Sequence, residues 1–379
     1  KKIKRTLSDS LKLFCGFSIP FDDLKILFLH SYSNSYMQKM ENYVQNTKSN
    51  TPHSEGFLII KSANEWINEA KTKPIPKKIF GPFWYEEELC ILFADTNQGK
   101  SLLAVQIIDS STKGIPTLGV EMELKASKVI YFDLELTAKQ FEMRYAQYDQ
   151  EMDILFDHFE FSEHFLRAEI NPYGHDETIE EYETYLFKEI DTQTSKSGAK
   201  ILVIDNLSCV ISDNEKARNT TPFLIRLNNL KKMHGWSILL IAHTPKRNLF
   251  APISRNDIQG SKSFINLIDS CFAVGESQKD PSIKYLKQIK VRYGAFQFPS
   301  ENVMVCKIGK ESNFSSFRFL EFGKESDHLK QFNPTNKAQI KSKAYELKEE
   351  GNSNVKIAQE LGVSEGAVRK WLKQVEVED

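Results

Sequence analysis

The eight residues Ala94-Asp95-Thr96-Asn97-Gln98-Gly99-Lys100-Ser101 sit between an apolar run, ELCILFA, and a helical pattern, LLAVQI. They match G-x-x-x-x-G-K-[ST] except that Ala94 stands at the first glycine. Such a loop holds phosphate oxygens on inward-turned backbone N–H groups at a helix N-terminus, so the residue beside the lysine must let the main chain come close. Gly99 meets that need. Lys100 would place a point charge on the β- and γ-phosphates, and Ser101 would ligate Mg²⁺. The expected nucleotide-binding stretch therefore runs from Ala94 through Leu102, with ATP and Mg²⁺ as cofactors. Ala94 is compatible with the loop provided that it keeps φ < 0.

A second acid belongs to the same chemistry. Ile201-Leu202-Val203-Ile204-Asp205 is an apolar strand ending in a carboxylate. In a parallel sheet its carboxyl end lies beside the phosphate loop, where Asp205 could hold Mg²⁺ through water.

Positioning these groups requires a layered α/β scaffold. From about residue 57 to 322, the β-rich runs ELCILFA, KVIYFDL, AKILVID, WSILLIA and SCFAVG alternate with helical patterns. Continuous apolar strands separated by helices predict a mostly parallel sheet covered on both faces. LKQIKVR and NVMVCKI would extend it as a late pair of strands. The organisation expected is an unassigned N-terminal segment and linker at 1–55, an α/β domain at 56–325 and a small all-α domain at 335–379. The acid-rich stretch DETIEEYETYLFKEID reads as the solvated start of a helix.

Together these residues resemble the RecA-like ATPases, and within them the RepA and DnaB type of hexameric helicase, over about residues 62–322. The segment VIYFDLELTAKQFEMRY is similar to the part of DnaB-type helicases in which a glutamate ends the second strand. The resemblance gives Glu135 the task of orienting and polarising the water that attacks the γ-phosphate. SILLIAHTP is similar to the strand whose polar end senses that phosphate, which maps the role onto His243. QGSKSFINLIDSCFAV resembles a segment that implies a loop and helix at Gly260 to Phe264 near a neighbouring subunit. IKVRYG resembles the family's K-x-R-x-G strand, implying that Lys290 and Arg292 reach the γ-phosphate of an adjacent subunit. Two loops expected to line a ring's pore contain Lys216, Arg218, Lys246, Arg247 and Arg255, which could track a single strand's phosphates or be ordinary surface charge. Residues 1–61 do not resemble the helical N-terminal domain of DnaB-type helicases, which favours the leaner RepA-like architecture.

The C-terminal run NSNVKIAQELGVSEGAVRKWLKQ reads as helix, tight turn at Gly362-Val363, Ser364 as N-cap, and a second helix from Glu365. A preceding amphipathic helix carries Ile340, Ala344 and Leu347 on one stripe and ends at Gly351. Ile357, Ala358, Leu361, Val363, Val368 and Leu372 occupy the inward positions. The pattern resembles helix-turn-helix domains of the resolvase and regulator type, in which the second helix enters the major groove. That resemblance exposes Arg369, Lys370 and Lys373 to bases, with Ser364 near phosphate. Eight basic residues against five acidic ones give Thr335–Val375 a charge of +3, which the terminal EVED cancels.

Composition excludes a uniformly basic binder, since the 379 residues carry 50 Lys and Arg against 51 Asp and Glu. The five cysteines, Cys15, Cys90, Cys209, Cys271 and Cys306, are odd in number and mostly set in apolar runs. They predict buried free thiols and a cytoplasmic protein. The longest apolar runs are strand-sized, so no membrane partner is expected. The sequence points to a Mg²⁺-dependent ATPase acting on DNA, a RepA-like replicative helicase or translocase of a plasmid or mobile element. The ring would be a homo-oligomer, six subunits by resemblance, binding duplex through the C-terminal domain and single strand through its pore. The alternatives are an ATP-regulated DNA-binding regulator without unwinding activity and a KaiC- or RadA-like recombination or remodelling ATPase.

Overall fold

The computed structural model describes residues 58–171, 174, 179–206, 216–244, 247–258, 262–330 and 334–375. The segment 1–55, Cys15, Cys209, Lys246, Gly260 and Ser261 lie outside them. The chain divides into two compact units after Pro74. In the first, helix α1 (Ala63–Ala70) starts at Ser62, which forms a reciprocal capping box with Glu65.

The second unit is built on a nine-stranded sheet. Its strands are β3 (Leu89–Ala94), β4 (Val129–Asp133), β7 (Phe165–Ala168), β8 (Ile201–Asp205), β9 (Ser237–His243), β10 (Ser270–Glu276), β11 (Ile283–Lys290), β12 (Val303–Glu311) and β13 (Phe314–Gly323). The order across the sheet is β13-β12-β11-β10-β3-β9-β8-β4-β7. The six strands from β10 to β7 pair in parallel, and β11, β12 and β13 add on as antiparallel neighbours. Two small hairpins, β1 (Lys78–Phe80) with β2 (Trp84–Tyr85) and β5 (Gln147–Asp149) with β6 (Ile154–Phe156), stand apart from this sheet.

The mostly parallel α/β architecture expected from the apolar runs is therefore present, with one difference. The predicted late pair of strands is a set of three, because FSSFRFLEFG forms the edge strand β13. Its polar and charged residues, interleaved with aromatics, suit a strand with one solvated side and weaken the apolar signal.

Each parallel strand divides its side chains between two cores, as a period of two requires. Leu89, Ile91 and Phe93 join one core with Leu202, Ile204, Ile238 and Leu240. Helices α4 (Ile179–Ser197) and α5 (Lys216–His234) cover that face through Phe187, Ile190, Phe223, Leu224 and Leu227. Cys90 and Leu92 turn to the other core with Val203, Leu239 and Ile241, beneath α2 (Lys100–Lys113). Covering both faces explains why the strand sequences read as unbroken apolar runs. Cys90, Cys271 and Cys306 are free and buried in these cores. No helix among the described residues is long and apolar enough to cross a membrane.

Short helices α3 (Ala138–Arg144) and α6 (Lys262–Leu267) complete the sheet's connections. Three further helices follow the sheet: α7 (Pro334–Glu349), α8 (Asn354–Leu361) and α9 (Glu365–Val375). Their own core contains Ala344, Leu347, Ile357, Ala358, Val363, Val368 and Trp371, with Ile340, Leu361 and Leu372 packed against it. Gly362 takes φ 65° between α8 and α9, a left-handed turn that costs glycine little. The Ser364 hydroxyl accepts from the Ala367 N–H at 3.1 Å, capping α9.

Candidate functional site

The carboxyl end of β3 runs directly into α2 through the loop 95–99. Gly99 is the N-cap of α2 at φ 83°, and no side chain caps that helix start, leaving its first N–H groups for an outside acceptor. A Cβ at Gly99 would lie 2.7 Å from Ile308 Cδ1 and 3.0 Å from Phe317 Cζ, so β12 and β13 press on the loop from behind. Ala94 is not among the residues at positive φ, which is the backbone condition that lets alanine replace the first glycine of the pattern. Lys100 is 6% exposed, and its Nζ donates to the carbonyls of Ala94 at 3.2 Å and Asp95 at 2.9 Å. Burial pulls its pKa below the ordinary lysine range, opposed by the negative charges of Asp205, Glu135 and Asp95.

Neighbouring strand ends bring the acids to this loop. Ala94 pairs with His243 across β3 and β9, and Asp205 pairs with Asp133 across β8 and β4. Asp205 is buried, and the Tyr131 hydroxyl donates to its Oδ2 at 2.7 Å. Burial raises its pKa to about 6, against the Ser101 and Tyr131 hydroxyls, which lower it. Its Oδ1 is buried without a hydrogen-bond partner among the described residues. A buried, unpaired carboxylate oxygen near a serine hydroxyl is a donor set that suits a hard cation such as Mg²⁺, so Ser101 and Asp205 fit the metal that the loop implies.

Glu135 follows β4 by two residues and is 3.6 Å from His243, Oε1 to Nε2. The Asn206 side-chain amide donates to the same Oε1 and stands 2.8 Å from His243 Nε2. His243 is the chief cause that holds the Glu135 carboxyl below its ordinary pKa, with burial opposing and Asn206 and Lys100 adding. A carboxylate kept ionised at the edge of a buried lysine's field can accept a proton or orient a water. Glu135 is not part of a helix start, since Thr137 caps α3 with Gln140 in a reciprocal box. Its loop is instead fixed by Asp133, whose Oδ1 accepts from the Leu136 N–H at 2.9 Å. Arg167 of β7 completes the clamp, donating to Asp133 Oδ2 at 2.9 Å and to the Leu136 carbonyl at 2.7 Å.

Of the residues singled out in the sequence, Lys100, Ser101, Glu135, Asp205 and His243 thus converge on one end of the sheet. Lys290 and Arg292 do not. Lys290 pairs with Cys271 at the opposite end of β10, so both cations lie at the far edge from their own phosphate loop. Lys290 Nζ donates to the carbonyls of Ile265 at 2.5 Å and Ile268 at 2.7 Å. Arg292 is the exposed member of the two, paired with Asp269 at 2.7 Å. Lys216 and Arg218, expected in a loop, fall in the first turn of α5. Arg247 donates to the Ala251 carbonyl at 3.1 Å, and Arg255 is exposed in a single 3-10 turn. Ser364, Arg369, Lys370 and Lys373 are all exposed, with Arg369 bonded to Glu365 at 2.6 Å.

Sequence reasoning missed Asn206, Arg167 and Asp133 as site residues. Asn206 had a signal, being the residue directly after the acid that ends β8. Arg167 had none, because it sits on a strand of only four residues and its partner Asp133 lies 34 positions away.

Residues 60–248 match the family described as AAA domain. No curated protein matches the chain. Among solved structures the chain is similar to a KaiC-like protein from the hyperthermophilic archaeon Pyrococcus horikoshii. The identity is 17%, the TM-score 0.40, and the similarity covers 62% of this chain and 90% of that one. The match to the AAA domain family, the phosphate loop and the mainly parallel sheet support a P-loop ATPase reading of residues 60–248.

Proposed function

We propose that the protein is a Mg²⁺-dependent ATPase acting on DNA, a RepA-like replicative helicase or translocase of a plasmid or other mobile element. The observation that carries the hydrolytic part is the convergence of Lys100, Ser101, Glu135, Asp205 and His243 at the carboxyl end of four adjacent strands. Lys100 and the backbone of 94–102 hold the β- and γ-phosphates. Ser101 and Asp205 would hold Mg²⁺, which when bound would neutralise charge developing on the phosphate oxygens. Glu135 accepts a proton from the water whose oxygen attacks the γ-phosphorus, while the bond to the β-phosphate oxygen breaks and ADP leaves. His243, linked to Glu135 through Asn206, would register whether the γ-phosphate is present.

Placement of Lys290 and Arg292 at the far edge of the sheet supports a site shared between subunits of a ring, six by resemblance. Neither can serve its own loop, and Arg292 has the exposed guanidinium that a neighbour's γ-phosphate would need. The helices α7, α8 and α9 support the reading of 335–379 as a helix-turn-helix domain, whose exposed Arg369, Lys370 and Lys373 share the solvent side of α9 and suit duplex DNA. Arg247 and Lys246 would follow the single strand in the pore.

Displacement of a labelled strand from forked DNA, with wild type and Lys100→Ala, tests this reading. ATP-dependent displacement by the wild type alone is expected. Duplex binding that responds to ATP without displacement would make the protein a regulator of the element rather than a helicase. Hydrolysis that ignores DNA altogether would sink the DNA reading.

A further inference from the structure

A second lysine touches the phosphate loop, and it comes from a distant strand. Lys284 of β11 is 3% exposed. Its Nζ donates to Gln98 Oε1 at 2.5 Å and to Glu276 Oε1 at 3.1 Å. Gln98 precedes Gly99 in the loop, and its Nε2 donates in turn to the Thr96 carbonyl at 3.4 Å. The side chain of Gln98 therefore ties the crest of the loop to β11. A buried ammonium is costly unless its donors are met, so this contact persists only while Gln98 and Glu276 stay in place.

The consequence is electrostatic as well as mechanical. A phosphate loop must turn N–H groups inward, and a carbonyl facing the phosphate would repel it. Engagement by Gln98 keeps the Thr96 carbonyl occupied away from that task. Ile308 and Phe317 press on Gly99 from the same side, and the Gln106 side chain of α2 grips the Phe317 backbone through two bonds, at 2.8 and 3.0 Å. The antiparallel strands β11 to β13 thus brace loop and helix together, and Lys284 is the one charged member of that brace in contact with the loop among the described residues.

We propose that Lys284 is a positioning residue for nucleotide binding, holding the phosphate loop in its anion-accepting form through Gln98. This rests on the reading of residues 94–102 as an ATP phosphate loop. The test is equilibrium titration of the full chain with a fluorescent ATP analogue and Mg²⁺, for wild type, Lys284→Met, Gln98→Met and the double variant. Steady-state hydrolysis and nucleotide-free melting are measured alongside.

Each single variant is expected to bind about tenfold more weakly, the scale of one charge-assisted hydrogen bond. KM should rise with kcat little changed, and the double variant should be no weaker than the weaker single one, because both remove the same contact. Gln98→Met leaves Lys284 paired with Glu276, so it reports on the loop even if Lys284→Met fails to fold. Binding within twofold of wild type for Gln98→Met, multiplying effects, or a lowered melting temperature with unchanged affinity would overturn the role of Lys284. A wild type that binds no ATP analogue would overturn the phosphate-loop reading and this inference with it.

Discussion

Glu88, one residue before β3, is 6% exposed, and the structure predicts that it makes folding stability fall as pH rises. Its Oε2 accepts from the Ser270 hydroxyl at 2.7 Å and from the Tyr85 N–H at 3.2 Å, while Oε1 is buried without a partner among the described residues. Burial pushes its pKa up from 4.5 to about 7, the two donors oppose the rise, and Asp269 adds to it. The folded protein therefore binds this proton more tightly than the unfolded chain does. The stabilisation is fully present below pH 4.5 and is lost as pH climbs through about 7. Between pH 5 and pH 8 the loss is about 2.5 kcal/mol. Glu88→Gln mimics the protonated carboxyl in shape and charge, so the variant should not share this pH dependence. Urea unfolding of both proteins at pH 5 and pH 8 measures it, and subtracting one from the other cancels other groups that titrate in this range, Asp205 included. The variant should gain about 2.5 kcal/mol on the wild type over that interval. A gain below about 0.5 kcal/mol would refute the argument that an unpartnered, buried Oε1 is what raises this carboxyl.

Three further outcomes follow from the packing. Glu325→Gln, at a fully buried carboxyl that meets Lys287, the Ile253 N–H, Ser300 and Tyr285, leaves Lys287 buried without a counter-charge. It should cost about 3–5 kcal/mol in urea unfolding. Gly99→Ala forces a Cβ to within 2.7 Å of Ile308 at φ 83° and should weaken ATP binding in a titration by about thirtyfold, from about 2 kcal/mol of strain. Arg167→Met unclamps Asp133 and the loop that carries Glu135, and should lower kcat about a hundredfold with ATP affinity kept, as kinetics with a parallel binding titration will show.

The parts of the site that were legible in the sequence are those whose neighbours are local. The phosphate loop reads directly because Gly99, Lys100 and Ser101 act within one turn, and strands buried on both faces leave unbroken apolar runs such as ILVID. The helices α8 and α9 read for the same reason, since Gly362 and Ser364 punctuate them within three residues. Contacts that depend on which strands become neighbours were not legible. Lys284 meets Gln98 across 186 positions, and Gln106 meets Phe317 across 211. Strand β9 enters between β3 and β8, which places His243 next to Ala94, and only the sheet order sets that adjacency. Trp371, buried in the C-terminal core, carries no inward signal in the sequence because its large ring lies within a basic stretch, RKWLK, whose charges dominate the pattern.

The central claim is that Glu135 activates water at a loop built to hold ATP. Measuring ATP binding and ATP turnover together on wild type and Glu135→Gln tests it most directly. The amide keeps the size of the side chain and removes its capacity to take a proton. The account predicts that the variant binds ATP and Mg²⁺ as tightly as the wild type within a few fold, with turnover lowered by about 10² to 10⁴. Near-normal turnover by a variant that binds ATP would contradict it and remove Glu135 from the site.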